Sequence, residues 1–188
     1  MKNFSDHYLH NGVHRVQNNN IIQLKCGILH IAVRNNHIDS VKALLEDDNV
    51  SIEDYESNTG LNSLHLAAEY GHKELVEYLL ENGAKIDAKC FQGEATFPLM
   101  CAASNGHQHV VELLLEKGAN TKLLDVGNST ALHYAAISSQ NNVIKSLIAK
   151  GVEIDSRNKD SHTSLHIAAH YGNLEAVLTL LETGADVN

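Results

Sequence analysis

The chain is most easily bounded by what it lacks. It has no tryptophan, a single proline and only three cysteines in 188 residues. Those cysteines, Cys26, Cys90 and Cys101, are odd in number and show no CxxC spacing. Disulfide scaffolds use dense, even sets, so the expected state is three reduced thiols in a reducing compartment. Basic residues are scarce: 14 Lys and Arg stand against 23 Asp and Glu, a net charge of −9 with a pI near 5.7. Without clustered Lys and Arg there is no footprint for phosphate contacts, which argues against nucleic acid as the partner. No apolar run approaches the ~18–20 residues that cross a bilayer, so membrane insertion is not expected. The first twenty residues, MKNFSDHYLHNGVHRVQNNN, contain no apolar core of a secretory signal. The expected location is therefore intracellular and cytoplasmic. Delivery into another cell by a route without a cleaved signal stays open.

Catalytic signatures are missing as well. There is no GxSxG, P-loop, GxGxxG or HExxH, and no Cys–His pair with a supporting pattern. Acidic pairs such as Glu46 and Asp47 fall at helix ends, where solvation is their plainest explanation. His107 and His109 flank a helix start and are not spaced as metal ligands. The reading is a non-enzyme with no cofactor and no resident metal.

What is present is repetition. Leu61–Asp87 reads LNSLHLAAEYGHKELVEYLLENGAKID. Asn62 and Ser63 supply polar capping chemistry, and Leu64, Ala67 and Ala68 share one helical face. Gly71-His72 interrupts this helix. Leu75, Val76, Leu79 and Leu80 form a second apolar stripe, and Gly83 ends it at a position suited to a left-handed residue. Neither helix is long enough to persist alone in water. Such a unit must bury its faces on a neighbour, and the chain supplies one. Leu29-His30-Ile31-Ala32 returns as Leu64-His65-Leu66-Ala67, Leu99-Met100-Cys101-Ala102, Leu132-His133-Tyr134-Ala135 and Leu165-His166-Ile167-Ala168, in steps of 35, 35, 33 and 33 residues.

A period near 33 residues, with a helix–turn–helix in each copy and an LHxA core, resembles the ankyrin repeat family. The resemblance runs from about Ile21 to Asn188. It implies an all-α solenoid of stacked helix–turn–helix units joined by β-hairpin loops. The expected division is a polar segment over 1–20 and an ankyrin repeat domain over 21–188, with repeats at about 21–54, 55–87, 88–122, 123–155 and 156–188. The first is the least regular and reads as a cap. The third carries the family's proline, Pro98, at a first helical position where a missing N–H costs nothing. It also carries an insertion around Glu94-Ala95, and Met100 in place of the motif histidine. The fourth turns at Ser139-Gln140 instead of Gly-His, which should weaken it locally. The sequence stops at Gly184-Ala185-Asp186-Val187-Asn188, a phrase that opens a further hairpin in this family. The expectation is that a C-terminal cap, or an active domain, lies beyond it.

The repeat also sorts residues by role. Leu64, Ala67, Leu75, Val76, Leu79 and their equivalents should form one core. The alanine pairs should let first helices approach, so that the stack curves with first helices on its concave side. The once-per-repeat histidines His30, His65, His133 and His166 fit structural hydrogen bonding better than metal binding. His7, His10 and His14 would share a helical face, but a closed zinc site wants about four ligands and only three are near. A solvated segment is the plainer reading.

If the family's geometry holds, a protein partner meets a groove lined by Arg34, Asn35, Glu69, Tyr70, Ser104, Asn105, Ile137, Ser138, His170 and Tyr171. Tyr70 and Tyr171 are the anchor candidates, because aromatic rings with a polar tip are enriched at interfaces. Hairpin tips add Phe91, Gln92, Leu124, Asp125, Val126, Arg157 and Lys159. Phe91, Leu124 and Val126 could instead pack on neighbouring hairpins. Asn188, in its Leu180…Asp186-Val187 context, resembles hairpin asparagines that asparaginyl hydroxylases modify, though Asn also suits such turns unaided. The functional expectation is a protein-interaction module, monomeric, with unknown partner. The alternative is the targeting arm of a larger enzyme or secreted effector.

Overall fold

The computed structural model describes residues 27–93 and 96–188. The histidines His7, His10 and His14, the polar segment over 1–20, Cys26 and the insertion at Glu94-Ala95 lie outside the described residues. Among the described residues there are ten helices in five pairs. The first pair is α1 over 27–34 and α2 Ile38–Leu45. Then come α3 Ser63–Glu69 with α4 Lys73–Glu81, and α5 Pro98–Ser104 with α6 Gln108–Glu116. The series closes with α7 Ala131–Ile137 and α8 Asn141–Ala149, then α9 Ser164–His170 and α10 Leu174–Glu182.

Local chemistry fixes where the first helices start. Asn62 Oδ1 accepts from the backbone N–H of His65 at 3.1 Å. The backbone N–H of Thr130 donates to His133 Nδ1 at 3.2 Å, and that of Thr163 donates to His166 Nδ1 at 3.4 Å. This is a capping box with histidine where glutamate or glutamine is usual. The imidazole has a second bond to make. Nε2 of His30, His65 and His133 donates to the carbonyls of Asp54, Thr96 and His162 at 3.0, 3.2 and 3.1 Å. Each histidine thus ties its own helix start to the strand-like segment entering the next helix pair. Met100 stands in this place in α5 and is buried, filling the site without the bond. Phe97 caps α5 with no side-chain bond, and Pro98 begins it.

The pairs are closed by tight turns with positive φ. Glycine takes this conformation at Gly71, Gly106 and Gly172, while Ser139 adopts it at φ 55° with a side chain attached. A non-glycine residue there costs on the order of 1 kcal/mol or more, so the weak point expected at Ser139 has a backbone origin.

Packing follows from side-chain size. One continuous core runs from Leu29 to Leu180. Ala67, Ala68, Ala102, Ala103, Ala135 and Ala136 are fully buried between first helices. Larger residues (Leu75, Val76 and Leu79; Val111 and Leu114; Ile144 and Leu147) are fully buried in the second-helix layer. Neighbouring first helices therefore lie closer together than neighbouring second helices, and the stack bends toward the first-helix side. Ala169, which has no helix beyond it among the described residues, is exposed.

The connections between pairs turn back on themselves with few bonds. Tyr55 and Asn62 form an isolated antiparallel bridge. Cys90 N–H donates to the Thr96 carbonyl at 2.9 Å, and Asn158 N–H to that of His162 at 2.9 Å. Successive hairpins are also tied together: Phe91 N–H donates to the Gly60 carbonyl at 3.1 Å, and Lys159 N–H to that of Gly127 at 2.8 Å. The result is an all-helical solenoid with minimal hairpins.

Candidate protein-interaction face

The last turns of three first helices, α1, α3 and α7, are held by the pair that follows each. His72 Nε2 donates to the Arg34 carbonyl at 2.9 Å, and His107 Nε2 donates to the Glu69 carbonyl at 2.8 Å. In the last pair Asn173 Nδ2 donates to the carbonyls of both Ala136 and Ile137, each at 2.8 Å. These bonds satisfy carbonyls that a helix end would otherwise leave open. They also fix the register of the face that the first helices present. In the sequence His72 reads as part of a turn and His107 as flanking a helix start. Their signal was positional: each occupies the residue just after the turn glycine, one repeat apart.

The predicted groove residues all reach the surface, but not all are free to bind. Arg34 Nη1 and Nη2 donate to Glu56 Oε1 and Oε2, each at 2.6 Å, a bidentate pair. Glu56 also accepts from Thr59 Oγ1 at 2.7 Å. The guanidinium and the threonine hydroxyl hold the Glu56 carboxyl below its usual range against the opposing effect of burial. Glu56 was absent from the sequence-based set. Nothing in the repeat register marks a hairpin acid as the partner of an arginine in the preceding pair. Asn35 Nδ2 and Asn105 Nδ2 fold back onto the carbonyls of Ile31 and Cys101 at 2.8 and 2.9 Å. The amides are thus committed to their own helix ends.

The rest of the row presents open side chains. Tyr70 is 46% exposed and stacks beside His72 at 6.0 Å between ring centroids. Tyr171 is 57% exposed, edge-on to His170 at 5.2 Å. Ile137 is exposed, and Ser104 and Ser138 are half-buried. Glu69 is half-buried, and burial pushes its carboxyl above the usual carboxylate range. Cys101 sits nearby, its thiol pushed up to about 12 by burial, far from nucleophilic at neutral pH. Cys90 and Cys101 are both free thiols.

The hairpin tips divide in the same way. Phe91 is 62% exposed and meets Tyr55 of the preceding hairpin in an edge-on contact at 5.6 Å. Gln92 Nε2 donates to the Ser57 carbonyl at 3.0 Å. Asp125 is an internal brace: Oδ1 accepts from the N–H groups of Gly127 and Ser129, both at 2.7 Å, and Oδ2 from the Tyr134 hydroxyl at 2.8 Å. Arg157 donates to the carbonyls of Ser161 and Asn188 at 2.9 and 3.2 Å. Leu124 and Val126 remain exposed, Leu124 on the edge of a hollow of about 400 Å³ that Lys122, Val152 and Arg157 also line.

Among the described residues no group of His, Cys, Asp and Glu is placed to hold a metal ion, and no helix is long and apolar enough to cross a membrane.

A family model described as ankyrin repeats (3 copies) matches two stretches of the chain, residues 5–90 and 99–188. The chain belongs to the ankyrin repeat family. Ankyrin repeats are general protein–protein interaction modules and are typically non-catalytic. A comparison with curated protein sequences gives no match.

Proposed function

We propose that this ankyrin-repeat chain binds another protein along its concave face and across its hairpin tips. The proposed units are the five repeats over 21–54, 55–87, 88–122, 123–155 and 156–188. Tyr70 and Tyr171 are the proposed anchors, with Ile137, Ser104 and His170 between and beside them. Arg34, Asn35, Asn105, Gln92 and Arg157 shape the rim, since their polar groups are largely committed within the chain. Phe91, Leu124 and Val126 extend the contact onto the tips.

The observation that supports this reading is the pair of exposed tyrosines at equivalent helix ends. Side-chain bonds from His72, His107 and Asn173 to the carbonyls of Arg34, Glu69 and Ala136 tie that face to the following helix pairs. Rigid aromatic anchors lose little entropy on binding, and an open face suits a peptide or a protein surface better than a small substrate.

The test is a paired capture. Wild-type chain and the Tyr70→Ala/Tyr171→Ala double variant are each used to capture partners from lysate. A partner retained by the wild type and lost by the variant, with melting temperatures within a few degrees, supports the face. Equal retention by both removes the tyrosines from the site.

A further inference from the structure

The charged groups on the concave side do not balance. Arg34 and Glu56 neutralise each other in a bidentate pair. Helices α5, α7 and α9 contain no Asp, Glu, Lys or Arg. That leaves Glu69, at the end of α3. Its backbone carbonyl is taken by His107, but among the described residues its carboxylate makes no hydrogen bond or ion pair. It is not freely solvated either: it lines a hollow of about 200 Å³ beside Leu61, Met100, Cys101, Ser104 and Tyr134. The wall is mostly apolar, and the Tyr134 hydroxyl is turned to Asp125.

We propose that the concave face takes an extended protein segment carrying an arginine or lysine whose cation pairs with the Glu69 carboxylate. The inference rests on the concave-face reading and names the chemistry of its partner. A carboxylate set part-way into an apolar wall loses hydration, which the Arg34 guanidinium, already paired with Glu56, offsets only in part, and a further cation would offset the rest. The walls suit the aliphatic stem of a basic side chain, while the charged head meets Glu69. A neutral or acidic residue at this point would bury the carboxylate unpaired, which selects against such partners. The direction of the Glu69 carboxyl agrees, since burial raises it while Arg34 opposes. The net charge of −9 favours approach of a basic segment from a distance.

The experiment selects random twelve-residue peptides displayed on phage against the whole chain. Binding is then measured to the wild type, Glu69→Gln, Glu69→Lys, Tyr70→Ala and the convex-side control Glu175→Gln. Expected are peptides sharing one Arg or Lys position, bound about tenfold or more weakly by Glu69→Gln and unchanged by Glu175→Gln. Selection on Glu69→Lys should replace that base with Asp or Glu. Melting curves confirm that each variant is folded. Peptides that need Tyr70 but carry no base, or bind Glu69→Gln equally well, overturn this inference alone. Peptides indifferent to both residues, or none selected at all, overturn the concave-face reading with it.

Discussion

His107 reaches back across the repeat boundary and donates from Nε2 to the carbonyl oxygen of Glu69 at 2.8 Å. The ring passes directly over Gly71, where an added Cβ would collide with the imidazole, and Gly71 holds φ at 74°. Gly71→Ala therefore combines a left-handed backbone with a steric clash. It should cost about 1–3 kcal/mol from the backbone and more if the histidine is displaced. His107→Ala removes the bond and opens the turn, so in that background the Gly71→Ala penalty should shrink. A urea-denaturation double-mutant cycle checks this, and additive penalties would show that the two residues do not communicate.

The buried histidines predict acid sensitivity. Burial lowers the pKa of His30, His65 and His133, and takes that of His65 to about 4. The unfolded chain therefore binds protons first as pH falls. Stability is complete above about 6.5 and declines down to the folded value. His65 alone should account for roughly 3 kcal/mol between pH 6.5 and 4. Chemical denaturation over that range in wild type and His65→Gln checks it. A slope unchanged by the substitution would remove His65 as the cause.

Leu79 is fully buried in the second-helix layer. Leu79→Ala should cost about 2–5 kcal/mol by opening a cavity between stacked helices. A loss under half a kcal/mol would place Leu79 outside the core.

Ser63 and Ser164 bury hydroxyls that have no hydrogen-bond partner among the described residues. The corresponding first positions of α5 and α7 are Pro98 and Ala131, so the fold does not require a hydroxyl there. Ser63→Ala should be neutral or stabilising by up to about 1 kcal/mol. A loss of stability would mean that the hydroxyl makes a bond after all.

Most of the architecture was legible from period alone. Leu64, Ala67, Leu75, Val76 and Leu79 recur in register, and all are fully buried. The structural role of His65 and His133 was legible for the same reason: a residue that returns once per repeat serves the repeat. Other features fall outside the register. Leu174 and Leu178 stand exposed where earlier repeats carry polar residues such as Gln108 and Glu112. The Arg34–Glu56 pair joins two residues 22 apart, a separation that is not the repeat period.

The sequence by itself determined the repeating unit and its core. A helix of seven residues cannot stand alone, so periodic apolar faces leave stacking as the stable outcome. Only the tertiary structure decided which surface residues remain available. Whether Arg34, Asn35 or Arg157 can meet a partner depends on acceptors contributed by other turns, and whether Glu69 lacks one depends on helices that meet only after stacking. Those are distances in space between groups far apart along the chain, and a repeat period does not encode them.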